Sequence, residues 1–270
     1  MTSKQWQLAQ DAAERYQEIL VPAILGPFAQ ALVDWADLRH DPLVVDVGCG
    51  TGAAARFAAD KIGTAGRVIG TDINPGMLRV AQALPNGHGA PLEWRQESAY
   101  ELSLLDETAD VVLCAQTLQF LNDRLKALQE MRRILKPGAA LYVSLWCDIE
   151  QNPYFDTLVQ AVARNIGADT AAGLGAAFSF SDLDAIQDMV RAAGFADLKT
   201  TIAEIALALP PIPEFVPRHI QATPLGPGYN AASPAARQAT LDFLTEQLSA
   251  YQTDTGIGVP FRSHLIQAVK

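Results

Sequence analysis

The sequence predicts a doubly wound α/β fold around a mostly parallel sheet. Three observations predict it. Short apolar runs alternate with helical stretches between residues 43 and 145. The first run, Leu43-Val44-Val45-Asp46-Val47, feeds directly into Gly48-Cys49-Gly50-Thr51-Gly52. The second ends on an acid, in Gly70-Thr71-Asp72. Strands and helices alternating at this spacing form right-handed βαβ units, whose crossover helices cover the sheet and so favour apolar strands.

The elements follow in order. Trp6, Ala9, Ala13, Tyr16 and Leu20 recur every three or four residues, a helical stripe that Pro22 is expected to interrupt before a second helix from Pro27 to Leu38. After the first strand and its glycine turn comes an Ala-rich helix, Gly52 to Ile62. The second strand is Arg67 to Thr71. A helix then starts at Pro75, with Asn74 as its N-cap, and ends before Pro85. Leu92–Arg95 and Asp110–Cys114 read as strands three and four. The helix from Asp123 to Leu135 should stop at Lys136-Pro137-Gly138, before a fifth strand over Ala140–Leu145. Beyond Trp146 the pattern loosens. Helices are predicted over 153–166 and 181–193, a sixth strand over 198–207, a proline-rich insertion over 210–234, a helix over 235–251 and a final strand over 259–269. This divides the chain into a helical cap (1–40), an α/β core (41–209, with a lid insertion over about 147–180), a substrate-lid insertion (210–234) and the end of the core (235–270).

Composition narrows the function. The chain has 270 residues, 49% hydrophobic and 19% charged, and a net charge of −10. That charge repels a phosphate backbone, so nucleic acid is not the expected partner. The densest basic cluster, Arg132, Arg133 and Lys136, sits at a helix end, where cations suit the dipole. Cys49, Cys114 and Cys147 lack metal-ligand spacing. The polar N-terminus does not resemble a secretory signal, and no apolar run reads as a membrane span. A cytoplasmic enzyme is therefore expected.

The chemistry concentrates on the glycine loop. A strand that turns through glycines into a helix presents free N–H groups and lets a ligand approach the backbone. Gly48, Gly50 and Ala53 satisfy the loose dinucleotide pattern, which keeps an NAD-dependent oxidoreductase as a competing reading. Asp46 argues against it, because a carboxylate there faces a pyrophosphate badly and suits a ligand with a positive amino group. Asp72 can accept both hydroxyls of a ribose, with Ile73 and Met77 flanking an adenine. As a plain alternative, Asp72 is only a helix N-terminal acid.

In order along the chain, the Asp46–Gly52 loop, Asp72-Ile73-Asn74-Pro75-Gly76-Met77-Leu78, Asp110–Cys114, Gln119-Phe120-Leu121-Asn122-Asp123 and Arg133–Gly138 resemble the class I S-adenosylmethionine-dependent methyltransferases. They are most similar to the group that includes quinone-biosynthesis and natural-product enzymes. The resemblance covers residues 40 to 146 well and the rest loosely. It implies a Rossmann-like, seven-stranded sheet with an antiparallel last strand and a helical lid, and S-adenosyl-L-methionine as cofactor. By the same resemblance Asp46, Gly48, Cys49, Gly50 and Gly52 line the methionine and ribose side, and Asp72 holds the ribose. Ser98 and Ala99 stand where the family has an Asp-Ala pair near the adenine, with the acid here either displaced to Glu97 or missing. Ala115 and Gln116 lie near the sulfonium end, and Tyr16 covers the cofactor.

Methyl transfer from a sulfonium asks the protein mainly to align the acceptor and exclude water. A base is needed only where the acceptor loses a proton. Of His40, His88, His219 and His264, only His219 falls in the expected substrate lid, so it is the candidate base; His264 reads as structural. Trp146, Phe155, Phe178, Phe180, Phe215 and Tyr229 favour an apolar or aromatic small-molecule acceptor. Two further readings stay open: a protein of this fold that binds the cofactor but catalyses a rearrangement or cyclisation without methylation, and methylation of a macromolecule. A homo-oligomer is compatible with the N-terminal helices.

Overall fold

The computed structural model describes residues 10–38 and 42–270. Trp6, Ala9 and His40 of the readings above lie outside them. The sheet comprises β1 (Leu43–Val47), β2 (Arg67–Asp72), β3 (Leu92–Gln96), β4 (Ala109–Ala115), β5 (Leu135–Trp146), β6 (Ala196–Leu209), the two-residue β7 (Gln252–Thr253) and β8 (Gly256–Val269). The spatial order is β3-β2-β1-β4-β5-β8-β6, with β7 paired to β8. β1 to β5 are parallel; β8 runs antiparallel between β5 and β6. The expected seven strands and antiparallel last strand are present, with β7 added. The order reverses between β1 and β4, and in such sheets the crevice beyond the carboxyl ends of the strands at that switch point is where ligands bind.

Pro22 does not end the first helix. α1 (Gln10–Arg15) continues through a wide π-helical stretch, Tyr16–Leu25, into α2 (Gly26–Trp35). The wider turn, seen in the Gly26 N–H bond to Val21 O, tolerates a proline that an α-turn would reject. The stretch Ala12–Trp35 is, by length and composition, apolar enough to cross a membrane, which the sequence reading missed. Its Ile19, Leu20, Ile24, Phe28, Leu32 and Val33 are buried within the protein.

α3 (Ala53–Ile62) and α4 (Pro75–Ala83) follow β1 and β2, and Asn74 caps α4 as expected, accepting from Gly76 N at 2.8 Å. α5 (Arg124–Ile134) starts at the Asp123 cap and stops one residue early, so that Lys136-Pro137-Gly138 opens β5 instead of a loop. The basic cluster there is fully used: Arg133 binds Glu130 and Asp106, Lys136 binds Asp110, and Arg132 donates to Gly194 O. α8 (Leu183–Ala192) packs beside α5 on the sheet, and the remaining helices are α6 (Pro153–Asn165), α7 (Ala168–Gly175), α9 (Ile212–Gln221), α10 (Gly226–Ala231) and α11 (Pro234–Gln247). The proline-rich insertion is thus largely helical. Prolines at the starts of α9 and α10 occupy positions where no N–H is needed. The lid helices other than α8 share one apolar core with Ile19, Leu20, Ile24 and Phe28 of the N-terminal segment.

Candidate functional site

β1 delivers Asp46 into the crevice at 1% exposure. Its Oδ2 accepts the Ala55 N–H at 3.0 Å, while Oδ1 is buried without a partner among the described residues. The glycine loop is clamped to β2, since Gly48 N and Cys49 N both donate to Thr71 O, at 2.8 and 2.9 Å. Asp72 closes the clamp from the β2 tip: Oδ2 accepts Gly50 N and Oδ1 accepts Asn74 N, each at 2.8 Å. The carboxylate therefore shapes the loop, and each oxygen keeps a lone pair for a hydroxyl donor. Gly48 and Gly52 sit at φ +72° and +89°. A methyl on Gly48 would meet Thr117 Cγ2 at 2.2 Å, while Thr117 Oγ1 bonds Gly48 O at 3.0 Å.

The electrostatics identify the missing partner. Burial pushes the Asp46 carboxyl up to about 7, opposed by the Ala55 N–H and reinforced by the nearby Asp72 charge. Burial also raises Asp72, against the backbone N–H groups it accepts. Tyr16 is raised by burial and then by Asp72, so its hydroxyl stays protonated over the crevice. A buried carboxylate with a free oxygen, in a cavity whose lining among the described residues carries no cation, suits an incoming ammonium. The donor set fits the amino-acid end of S-adenosylmethionine.

Tyr16, Asp46, Gly48, Cys49, Ala115 and Gln116 share the lining of one inner cavity of about 40 Å³, room for water but not for a nucleoside. Tyr16 on the π-helical segment roofs it, near Gly50. Gln116 holds φ +51°, an uncommon left-handed conformation for a side-chain-bearing residue. At the outer end Ile73 is 58% exposed, free for a flat ring, whereas Met77 is covered by Ala12 and Ala13 of α1. Ser98 and Ala99 do not line the inner cavity. Ser98 Oγ accepts Tyr100 N, Ala99 packs towards the α5 face, and Glu97 binds Ser103 through both carboxylate oxygens. Sequence reasoning missed Thr117 and Ser263. Ser263 comes from β8, 147 residues from Gln116, whose amide it accepts, and only strand pairing reveals it.

Beyond Gln116 lies an aromatic wall. Trp146, which pairs with Ser263 across β5 and β8, has ring centroids 4.8 Å from Phe28, 5.6 Å from Phe155 and 6.2 Å from Phe178. Phe155 leads to His219 at 5.8 Å, and Phe215 lies 5.7 Å from the same imidazole. Phe180 is elsewhere, under the Arg124 guanidinium, and Tyr229 is buried in the lid core without joining these rings. His219 is buried, with Nδ1 2.7 Å from Tyr154 Oη, and desolvation lowers its pKa to about 4. His88 is exposed, and His264 is structural, its Nε2 held by Ser181 O at 2.9 Å. Among the described residues no cluster could hold a metal ion.

Residues 45–143 match the family model described as a methyltransferase domain. The ubiquinone/menaquinone biosynthesis C-methyltransferase UbiE of Hahella chejuensis is 35% identical over 113 residues, covering 41% of this chain and 45% of the relative. The chloroplastic 2-phytyl-1,4-beta-naphthoquinone methyltransferase of Arabidopsis thaliana is 31% identical over 115 residues, covering 41% and 44%. The match thus spans less than half the length of either relative. Phosphoethanolamine N-methyltransferase 2 of Haemonchus contortus, solved with S-adenosyl-L-methionine, shares the fold over 98% of this chain and 58% of its own, at 16% identity and a TM-score of 0.58. With the switch-point crevice, the clamped glycine loop and the two strand-tip carboxylates, these matches make residues 45–143 a methyltransferase domain similar to those of the class I S-adenosylmethionine-dependent methyltransferases.

Proposed function

We propose that the chain transfers a methyl group from S-adenosyl-L-methionine to a small, aromatic, quinone-like acceptor. The observation that carries the cofactor half is the buried Oδ1 of Asp46, which has no partner among the described residues. The acceptor half is supported by the aromatic wall beyond Gln116 and by the quinone methyltransferases among the relatives. The cofactor supplies an activated methyl on a sulfonium. This chain's residues do the rest: Asp46 pairs the ammonium, Asp72 receives the ribose hydroxyls, Tyr16 shuts out water, and the rings around Trp146 orient a flat acceptor.

His219 is proposed as the group that takes the departing proton. A base with a pKa of about 4 does not ionise a phenol at neutral pH. It is strong enough to accept a proton from the cationic adduct that a neutral ring or hydroxyl becomes on gaining a methyl. Replacement His219→Gln should lower kcat roughly a hundredfold with KM changed little. An unchanged kcat removes the histidine from the mechanism.

Incubation with methyl-labelled cofactor and pooled aromatic metabolites, read by mass, tests the activity. Labelled product supports transfer; unlabelled, rearranged product supports the non-methylating alternative. For the site, Asp72→Ala should weaken S-adenosylhomocysteine binding by roughly tenfold or more, since the ribose contacts and the Gly50 and Asn74 clamps go together. An unchanged calorimetric affinity would show the ribose lies elsewhere.

A further inference from the structure

At the carboxyl edge of β4 a hydrogen-bond chain of fixed direction ends on an unsatisfied acceptor. Ser263 has one hydroxyl proton, and both backbone contacts of its Oγ, Leu145 O at 2.9 Å and His264 O at 3.2 Å, are acceptors. That proton is therefore committed, and Ser263 Oγ accepts from Gln116 Nε2 at 2.9 Å. Gln116 Oε1 in turn accepts from Gln119 Nε2 at 3.1 Å. Flipping either amide would bring like ends together, so the serine orients both glutamines. The terminal group is Gln119 Oε1. It is buried, on a residue 4% exposed, and has no partner among the described residues.

Buried carbonyl oxygens are almost always paired, and an exception calls for a reason. The surroundings supply one. Gln116 lines the same inner cavity as Asp46 and is held at a left-handed φ. Gln119 belongs to the short turn Leu118–Phe120, and its backbone oxygen accepts from Ser179 Oγ and from Arg124, which ties the turn to the lid. Gln119 thus joins Gln116, which lines the inner cavity, to a turn that packs on the Ala176–Phe178 turn, whose Phe178 stacks on Trp146.

We propose that Gln119 Oε1 accepts a hydrogen bond from a hydroxyl or N–H group on the methyl acceptor. The Ser263–Gln116–Gln119 chain then selects aromatic acceptors that carry a donor over those that present only acceptors. This rests on the proposed aromatic acceptor, and it makes Gln119 a specificity-determining residue. A phenol or hydroquinone satisfies the oxygen; its ether leaves it unpaired and adds a facing lone pair.

The test uses the S-adenosylhomocysteine-saturated protein and two probes with the same ring system, 1-naphthol and 1-methoxynaphthalene, titrated by calorimetry. The wild type should bind the naphthol about tenfold more tightly than the ether. In Gln119→Met, similar in length but without the acceptor, the preference should shrink to within about twofold, with S-adenosylhomocysteine affinity and melting temperature retained. If Gln119→Met loses folding, Gln119→Leu gives the same reading, and Ser263→Ala, which frees the chain to reorient, should also reduce the preference. Equal binding of the two probes by the wild type, or a naphthol preference that survives Gln119→Met, overturns the proposal while leaving the aromatic acceptor intact. Binding of neither probe overturns both.

Discussion

Asp46→Asn should weaken S-adenosylhomocysteine binding by roughly a hundredfold while raising the melting temperature of the ligand-free chain at pH 8. The two effects have one cause. Asp46 is buried with one oxygen unpaired among the described residues, and burial pushes its carboxyl up to about 7 from an ordinary value of 3.8. A carboxyl raised on folding binds more protons in the folded than in the unfolded state between those values. Its contribution to stability is therefore lost as pH rises from about 4 and is a full penalty above 7. Three pH units correspond to at most about 4 kcal/mol, an upper figure because water entering the crevice relieves part of it. Asparagine keeps the Ala55 contact through its carbonyl and cannot ionise, so the penalty disappears. The ammonium loses its charge-assisted partner at the same time, and such contacts are worth roughly 1.5–3 kcal/mol. The wild-type affinity should accordingly strengthen as pH rises from 5 to 7, by up to about tenfold per unit, and level off above 7. A pH-independent affinity, or an asparagine variant that binds normally, would place the ammonium elsewhere.

Much of this site was legible in the chain because its parts are local. A strand that ends in Asp46 and turns through Gly48 to Gly52 reads directly as a loop over a helix N-terminus. Asp72 at the next strand tip is only two dozen residues away. Periodicity found the central strands β1 and β4 for the same reason: each buries both faces and is written as a mostly apolar run, whereas the edge strand β3, Leu92–Gln96, has no fully buried residue. What failed was non-local or compensated. Pro22 reads as a break under α-helical geometry, and the π-turn that absorbs it leaves no mark in composition. The prolines of 210–234 look like a loop, yet several of them start helices. The Gln116–Ser263 contact depends on β8 inserting between β5 and β6, and no spacing rule joins residues 116 and 263. The directionality of the Gln119 amide inherits that blindness, since it is set by a serine hydroxyl on the far strand.

The glycine at the end of the loop should prove as demanding as the carboxylate at its start. Gly52→Ala is expected to lower stability by about 2–5 kcal/mol, which for a chain of this size is a fall in melting temperature of roughly 5–15 °C. Two terms add. Gly52 holds φ +89°, a left-handed conformation that any side chain disfavours. Its added methyl would also lie 2.2 Å from Trp94 Cη2, inside the indole ring. Trp94 cannot retreat: its ring also fills the space left by the missing side chain of Gly70, and the Arg56 guanidinium lies 5.3 Å over it. The two terms separate in a double variant. Trp94→Leu removes the ring and should recover the packing part of the loss in the Gly52→Ala background, leaving the backbone part. Cofactor affinity should recover less than stability, because the loop N–H groups are aimed by the left-handed turn and not by the indole. Full recovery of both by Trp94→Leu would mean that the turn carries no strain and that glycine is present only to make room for the ring.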